Sequence, residues 1–412
     1  MFIGNRFEEN IMLKKRFIGI LLIVAMCCAL TACNDIGKKN KIERSADQVI
    51  YSDTTDAEPL TIGYTFWDVP VDGFVEDQAN QIKLVAEALN VNLLFNPDNT
   101  DFSAGAEVGA AEYFAEQKVD GMIVVNFSED SLVEISQICE DNQIPFIQAT
   151  RTINDKDVAN KVESNPYYVG RIHESDYAAA YEVGRKLIEN GSKNIIMLCP
   201  EHGDIAYEAR AEGFRDACEE PDVNIIEERW ELADDGSVAE ATKELIEKYP
   251  ETDGIFTIRC GFLPQIVDAQ DALGIKEYIP IVGVDLDNTI ATYVENGAVL
   301  AAAGGHHPDA SLSLITLINS IRGAYDKSEY PIDINYSMIL VDSKDTFHEY
   351  KEWCLGYDTD FDNRQILNAN DARGLCVDFN KNATLADITA FAENMSLENV
   401  IERHSGFINN GK

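Results

Sequence analysis

Aromatic, charged and amide side chains follow a series of short apolar runs in this sequence. Together they have the chemistry needed to hold a small polyhydroxylated molecule. Carboxylate and guanidinium groups make paired hydrogen bonds to neighbouring hydroxyls, and aromatic faces pack on the apolar face of a sugar ring. Polar residues are common at strand ends in any protein, so the prediction depends on the whole series. The series comprises Trp67, Asp68, Phe74, Asn126, Thr150, Arg151, Glu201, Asp204, Arg259 and Asp285.

Sequence motifs for catalysis and for cofactor binding are absent. The chain contains no Gly-x-Ser-x-Gly elbow, no His-Glu-x-x-His, no Gly-x-x-x-x-Gly-Lys loop, and no Gly-x-Gly-x-x-Gly after its first apolar run. His306 and His307 are adjacent, and adjacent side chains on a strand point to opposite faces, so they rarely chelate one metal ion. We therefore expect a binding protein without catalytic residues, cofactor or metal.

The apolar runs that precede the polar series are short and unalternated, which is typical of strands buried on both faces of a parallel sheet. Amphipathic helical segments lie between them: 104–117, 176–190, 206–218, 237–248 and 262–273. Repeated strand–helix units predict right-handed crossovers and an open α/β sheet whose ligands bind beyond the carboxyl ends of the strands. About nine such units exceed what one sheet of this kind usually holds, so we predict two doubly wound parallel-sheet lobes.

The N-terminal segment has the features of an export signal. Basic residues 14–16 precede an apolar run, 17–30, which is too short for a transmembrane helix of about 20 apolar residues. The run ends in Leu30-Thr31-Ala32-Cys33, which is similar to the lipobox of bacterial lipoproteins, whose cysteine carries a diacylglyceryl group. Because two acyl chains anchor a protein stably, we expect Cys33 to hold it on the extracytoplasmic face of the cell membrane. An uncleaved anchor helix is the less favoured interpretation.

The polar region after the lipobox and the overall charge bear on partners. Residues 1–32 are predicted to be the signal peptide and 33–58 a flexible tether without hydrophobic periodicity. The chain has 33 basic and 72 acidic side chains, a formal net charge of −39. Such a surface repels nucleic acid and anionic lipid, which disfavours a DNA-binding regulator.

Six of the nine cysteines lie beyond the lipobox, and none of them forms a Cys-x-x-Cys pair. An exported compartment permits disulfides, and the two cysteines in the C-terminal part, Cys354 and Cys376, are the pair that we expect to be joined if any is.

Four stretches carry a resemblance to a known family across residues 59–345. Residues 119–124 (VDGMIV) resemble a family strand preceded by Asp-Gly, and residues 209–214 (ARAEGF) resemble its Arg-x-Glu-Gly-Phe helix. Residues 281–285 (IVGVD) resemble its strand ending in a ligand aspartate, and residues 297–302 (GAVLAA) its strand that leads back to the hinge. On these stretches the chain resembles the type 1 periplasmic binding proteins, the ribose-binding-protein-like solute receptors of ABC importers.

The resemblance implies a two-lobed, monomeric receptor that captures a sugar or sugar-like molecule and delivers it to an ABC permease. The expected crossings between the lobes are near Gly170-Arg171, near His306 and near Pro331. The first lobe would then comprise 59–168 and 306–330. The second would comprise 169–305 and 331–412, including a C-terminal extension packed on it. An alternative partner is a membrane sensor kinase to which the receptor presents its ligand.

The resemblance also implies individual ligand-binding positions. They are Phe74, Arg151, Arg210, Asp285, His306 and, at an aromatic position after a second-lobe strand, Trp230. The sequence departs from the family pattern at Thr150, where Asp is common, and at Arg259-Cys260, where Asn-Asp is common. If Arg151, Arg210 and Arg259 all face the cleft, an acidic sugar is favoured, because guanidinium matches carboxylate and phosphate. If Arg259 is instead paired with Asp285 or Glu201, the site is neutral; both alternatives stay open at this stage.

Overall fold

The structure is a computed structural model that describes residues 42–44, 49–69, 73–98, 100–101, 103–287, 290–356, 365–404 and 407–409. The predicted signal peptide and Cys33 lie outside the described residues. Two compact units are distinguished. In the unit formed by the two termini, strand β1 (Ile42–Arg44) pairs antiparallel with strand β14 (Phe407–Asn409). The other unit, Val49–His404, contains two six-stranded sheets.

The first sheet is entirely parallel, and its strand order is β12-β6-β5-β4-β2-β3. Its strands are β2 (Thr61–Tyr64), β3 (Asn92–Phe95), β4 (Gly121–Val124), β5 (Phe146–Ala149), β6 (Tyr168–Glu174) and β12 (Ile332–Tyr336). The helices of this lobe are α1 (Gly73–Ala88), α2 (Ala104–Gln117), α3 (Glu129–Asn142), α4 (Lys156–Glu163) and α10 (Asp309–Ile321). Strands β4 and β5 are buried at every position, as expected for strands covered by helices on both faces.

The second sheet has the order β13-β11-β10-β9-β7-β8 and is parallel except for β13. Its strands are β7 (Asn194–Leu198), β8 (Asn224–Arg229), β9 (Gly254–Thr257), β10 (Ile281–Val284), β11 (Val299–Gly304) and β13 (Ile339–Val341). The helices of this lobe are α5 (Asp176–Glu189), α6 (Ile205–Ala217), α7 (Ser237–Lys248), α8 (Leu263–Ala272) and α9 (Ile290–Glu295). The predicted two-lobed α/β fold is therefore confirmed.

Several helices begin where a strand of the same lobe has just ended, and their caps fix the loops between. The side chain of Ser128 accepts a hydrogen bond from Ser131 N at the start of α3. Asp204 caps α6 in the same way by accepting from the backbone N–H groups of Ala206 and Tyr207. These caps hold the loops at the carboxyl ends of β4 and β7 in defined positions.

Two of the predicted crossings between the lobes are misplaced. Strand β6 stays in the first sheet through Glu174, so the chain crosses after that residue and not near Gly170-Arg171. Strand β12 also belongs to the first sheet, so the last crossing lies between Tyr336 and Ile339 and not near Pro331. The reason is that all of β12 pairs with residues 170–174 of β6, a contact between segments more than 150 residues apart in sequence.

The C-terminal part does not pack on the second lobe alone. Helix α11 (Lys344–Cys354) contacts that lobe, where Tyr350 Oη donates to the carbonyl of Leu286. The remainder packs on the first lobe through α12 (Ala369–Leu375) and α13 (Leu385–Glu393), and α14 (Leu397–His404) packs on α11. There Gln81 donates to the carbonyl of Leu367 over 2.6 Å. The extension therefore spans both lobes.

The predicted tether is shorter than 33–58. The backbone N–H of Tyr51 donates to Asn370, and the Thr55 hydroxyl donates to the carbonyl of Asp378. From Tyr51 onward the chain is therefore held on the C-terminal part.

The expectation of a Cys354–Cys376 disulfide is wrong. Both thiols are free and buried, and so are the other four cysteines of the folded body. Cys354 lies in α11 and Cys376 follows α12, so the two sit on the halves of the extension that pack on different lobes.

Among the helices in the described part of the chain, none combines the length and apolar character that a membrane span requires.

Candidate functional site

A cavity of about 520 Å³ lies between the carboxyl ends of the two sheets. The first lobe supplies residues that follow β2, β4 and β5, together with residues at the starts of α1 and α2. The second lobe supplies residues that follow β7 and β9. The lining comprises Phe66, Trp67, Phe74, Val75, Ser103, Ala104, Phe127 and Arg151 from the first lobe, and Glu201, His202, Gly203, Asp204, Tyr207 and Arg259 from the second.

The first-lobe wall is aromatic. The ring centroid of Trp67 lies 5.0 Å from that of Phe66 and 5.6 Å from that of Phe127. The rings of Trp67 and Phe127 are stacked. The indole N–H of Trp67 donates to the carbonyl of Asp98 over 2.8 Å, which fixes the ring. Only 1% of Trp67 is exposed, so the face that this wall offers to a sugar ring is that of the partly exposed Phe127, which Trp67 holds in place at little cost in side-chain entropy.

The facing second-lobe wall is polar. Asp204 uses Oδ1 to cap α6 and Oδ2 to pair with Arg151 of the first lobe at 3.3 Å, so one carboxylate links the two lobes. His202 stacks on Trp230 with ring centroids 3.9 Å apart. Exposed Glu201 completes this wall with hydrogen-bond acceptors.

Arg259 lies at the rim of the cavity. Its guanidinium pairs with the exposed carboxylate of Asp234 at 3.2 Å and lies over the ring of Phe262. The sequence analysis named Asp285 and Glu201 as possible partners of Arg259. The ion pair is formed with Asp234 instead, so the charge of Arg259 is paired.

Arg210 lies beneath the cavity in a buried network. Its Nε donates to Asp176 Oδ1 at 2.7 Å, and its Nη1 lies 3.1 Å from Asp285 Oδ1. Nη1 also donates to the carbonyl of Ile258. Only 4% of the Arg210 side chain is exposed, and it does not line the cavity. Burial raises the pKa of Asp176, and the charge of Arg210 opposes that rise.

The crossing next to this network is also filled by side chains. The rings of Phe74 and His306 stack with centroids 4.3 Å apart, and His306 Nε2 lies 3.5 Å from Asp285 Oδ1. Burial lowers the pKa of His306, which favours a neutral ring. Burial and then the charge of Glu174 raise the pKa of Asp309, so this carboxyl holds its proton.

Thr150 precedes Arg151 at the end of β5 and has a φ of 61°. Such a left-handed backbone is rare for a β-branched residue and costs about 1–3 kcal/mol. Backbone strain of this kind clusters at ligand sites, and here it aims Arg151 at the cavity.

A family model described as "Periplasmic binding protein domain" matches residues 62–321. The chain belongs to this periplasmic binding protein family. No curated protein matches it. Among solved structures, a periplasmic sugar-binding protein from Pseudomonas fluorescens is 14% identical with a TM-score of 0.66, covering 83% of this chain and 99% of its own.

Two further solved structures show the same fold. An ABC transporter periplasmic solute binding protein from Actinobacillus succinogenes, with bound D-allose, is 20% identical with a TM-score of 0.62 and covers 71% of this chain and 100% of its own. GanP, a glucose-galactose binding protein from Geobacillus stearothermophilus, is 17% identical with a TM-score of 0.60 and covers 70% and 99%. The resemblance to the type 1 periplasmic binding proteins is therefore confirmed.

The structure of this periplasmic binding protein divides the predicted site residues into three groups. Those that line the cavity are Trp67, Phe74, Arg151 and Arg259. Those that lie behind its walls are Arg210, Asp285, His306 and Trp230. The exception is Asp68, which is exposed and pairs with Lys83 at 3.5 Å away from the cavity lining.

Several lining residues of this periplasmic binding protein were not among the predicted site residues. Phe66, Phe127 and Tyr207 are aromatic residues at strand ends or in the first turn of a helix. His202, which lies beside Glu201 in the same loop, also lines the cavity. Sequence reasoning could have found them by also selecting the neighbours of each polar residue in the series. A loop that turns over a strand end presents two or three consecutive side chains to the cleft.

Glu107 lies behind the aromatic wall, fully buried in α2. Its Oε2 accepts hydrogen bonds from Phe127 N and the Ser131 hydroxyl, while Oε1 has no hydrogen-bond partner. Burial raises the pKa of Glu107 to about 8. The folded protein therefore keeps this proton over a pH range in which the unfolded chain has released it.

Because of that proton, we expect the free energy of unfolding to fall as pH rises from 5 to 8. Glu107→Gln should remove roughly 3 kcal/mol of this decrease. Urea unfolding of wild type and variant at both pH values measures the effect, with Glu134→Gln, an exposed position on α3, as the control. Equal pH dependence in all three proteins would contradict a protonated Glu107.

Proposed function

We propose that this protein is an extracytoplasmic receptor, anchored by a lipid on Cys33, that binds a neutral sugar between its lobes and delivers it to an ABC permease. The observation that carries the proposal is the cavity between the lobes, with Trp67 and Phe127 on one wall and Glu201 and Asp204 on the other. Aromatic faces opposite hydrogen-bonding groups suit a pyranose or furanose ring. Solved proteins of the same fold bind D-allose or are described as glucose-galactose binding.

The charges around the cavity support a neutral ligand over an acidic one. The acidic-sugar hypothesis required three guanidinium groups facing the cleft. Arg210 is instead buried between two carboxylates, Arg151 pairs with Asp204, and Arg259 pairs with Asp234. With every guanidinium already paired, an added carboxylate would be drawn from water without a free counter-charge.

Isothermal titration calorimetry of the purified protein tests the proposal. The panel comprises D-galactose, D-glucose, D-allose and D-ribose, together with D-galacturonate and D-glucuronate. We expect a neutral sugar to bind with a Kd of about 1 μM or tighter, and each uronate at least about tenfold more weakly than its neutral counterpart. A uronate that binds more tightly than the matching hexose would overturn the neutral assignment, and the absence of binding both by this panel and by disaccharides would overturn the sugar-receptor function.

Anchoring and delivery have their own tests. Metabolic labelling with an alkynyl fatty acid should mark the wild type and not Cys33→Ser. Sugar uptake should require the protein together with a permease, and ligand-dependent phosphorylation of a membrane sensor kinase without uptake would instead support the signalling alternative.

A further inference from the structure

We propose that the ligand is a disaccharide, or a glycoside with a ring-sized second group, bound along the strands of both sheets that lie away from the crossings. The inference rests on the proposed sugar-receptor function and specifies the substrate class of the same site. Four observations carry it: where the cavity lies, how it is closed at one end, how long it is, and what lines it.

The cavity lies over one side of each sheet. Its first-lobe residues follow β5, β4, β2 and β3, which are consecutive neighbours, and its second-lobe residues follow β7 and β9, which are also neighbours. The strands nearest the crossings, β6 in the first sheet and β10 and β11 in the second, contribute no lining residue among the described positions.

The protein's own side chains fill the end of the cleft near the crossings. Glu174 is the last residue of β6, Asp285 comes after β10, and His306 comes after β11. All three side chains are buried or nearly so. The stack of Phe74 on His306 forms the boundary between this packed region and the open cavity. A ligand in the closed protein therefore extends from Phe74 away from the crossings.

The open part is longer than one ring requires. From the loop after β5 to Ser103, which follows β3, the lining passes four neighbouring strands, about 14 Å at ~4.8 Å per strand. The 520 Å³ volume corresponds to roughly 17 water molecules at about 30 Å³ each. A hexose has only twelve non-hydrogen atoms, so one ring would leave much of the cavity to water.

The walls change along this length in a way that suits two rings. Near the boundary with the crossings, Phe74 lines the same cavity as the paired Arg151 and Asp204, which offer both donors and acceptors to a first ring. Farther out, the partly exposed ring of Phe127, which stacks on the buried Trp67, lines the cavity together with the loop 201–204 of the other lobe. A second ring can be held there between an aromatic face and polar groups.

Titration calorimetry with glucose, galactose, methyl β-galactoside, cellobiose, lactose, maltose and melibiose tests the inference on the purified protein. We expect one disaccharide to bind at least tenfold more tightly than either of its constituent monosaccharides. Phe127→Ala should remove most of that preference, because it should weaken disaccharide binding more than monosaccharide binding. Phe127→Leu keeps the apolar volume without the aromatic face and should reduce the preference in part.

Tyr177→Ala is the matched control, because Tyr177 is an exposed aromatic residue that does not line the cavity. It should preserve the preference, and unfolding curves should show that all three variants are folded. If monosaccharides bind as tightly as every disaccharide, the two-ring inference is wrong and the sugar-receptor function stands. If no sugar of either kind binds, the proposed function itself is wrong.

Discussion

Replacing Arg210 with alanine should lower the free energy of unfolding by about 3–5 kcal/mol, the usual cost of breaking a buried ion pair from one side. The substitution leaves the carboxylates of Asp176 and Asp285 buried without their shared cation. It also leaves the carbonyl of Ile258 without the Arg210 donor. The sequence alone predicts a ligand contact at this position, whereas its burial assigns it to holding the second-lobe strand ends together.

The loss of stability should depend on pH. Without Arg210 the pKa of Asp176 rises further, since burial already raises it and the guanidinium opposes that rise. The native variant then keeps a proton that the unfolded chain releases, so the variant should lose more stability at pH 8 than at pH 6. Urea unfolding at the two pH values measures this.

Arg215→Ala is the control for Arg210→Ala, because Arg215 lies on the same helix and pairs with Glu228 at a side-chain exposure of 40%. We expect it to cost less than about 1 kcal/mol, as is usual for exposed pairs. If Arg210→Ala were as stable as Arg215→Ala, the buried network would not have the role assigned to it.

Replacing Gly73 with alanine should weaken sugar binding about 10- to 100-fold by keeping the lobes from closing fully. Gly73 begins α1 in the first lobe, and Asp287 follows β10 in the second. A Cβ at position 73 would clash with the Asp287 side chain and would lie only 2.8 Å from its Cβ atom. Overpacking of this kind costs about 1–3 kcal/mol, and here the strain falls on the closed state that the ligand stabilises.

Two measurements separate a closure defect from a folding defect. The unfolding free energy of Gly73→Ala without sugar should stay close to that of the wild type, because the lobes can relieve the clash by opening. Small-angle X-ray scattering with saturating sugar should give a larger radius of gyration for the variant.

Gly109→Ala is the matched control for Gly73→Ala. A Cβ at position 109 meets nothing within 4 Å, and alanine in a helix is favoured over glycine by about 1 kcal/mol. It should bind sugar as the wild type does. Wild-type affinity in Gly73→Ala would show that the lobes close in another way.

The secondary structure of this chain could be predicted from sequence because its signals are local. Helices 104–117 and 237–248 were predicted with the bounds that the structure has, and the predicted helix 176–190 differs from the observed one, Asp176–Glu189, by one residue. Continuous apolar runs, amphipathic periodicity and polar cap residues suffice for such elements. The two misplaced crossings depend instead on β6 pairing with β12, and local pattern carries no information about that contact.

The site could be predicted by residue type and strand position, but the roles within it could not. Trp67, Phe74 and Arg151 line the cavity as the strand-end argument predicts. Arg210 and Asp285 are charged residues that were also predicted to bind the ligand, yet they pair with each other beneath the cavity. Which charged groups satisfy one another depends on packing between segments far apart in sequence, and this determines whether a cleft is positive or neutral.

A crystal structure of the protein with the tightest-binding neutral sugar of the calorimetric panels tests the central claim most directly. The account predicts sugar density between Trp67 and Phe127 on one lobe and residues 201–207 on the other, with Arg210 still paired to Asp176 and Asp285. Sugar density outside the cleft, or Arg210 hydrogen-bonded to the sugar in place of those aspartates, would contradict it.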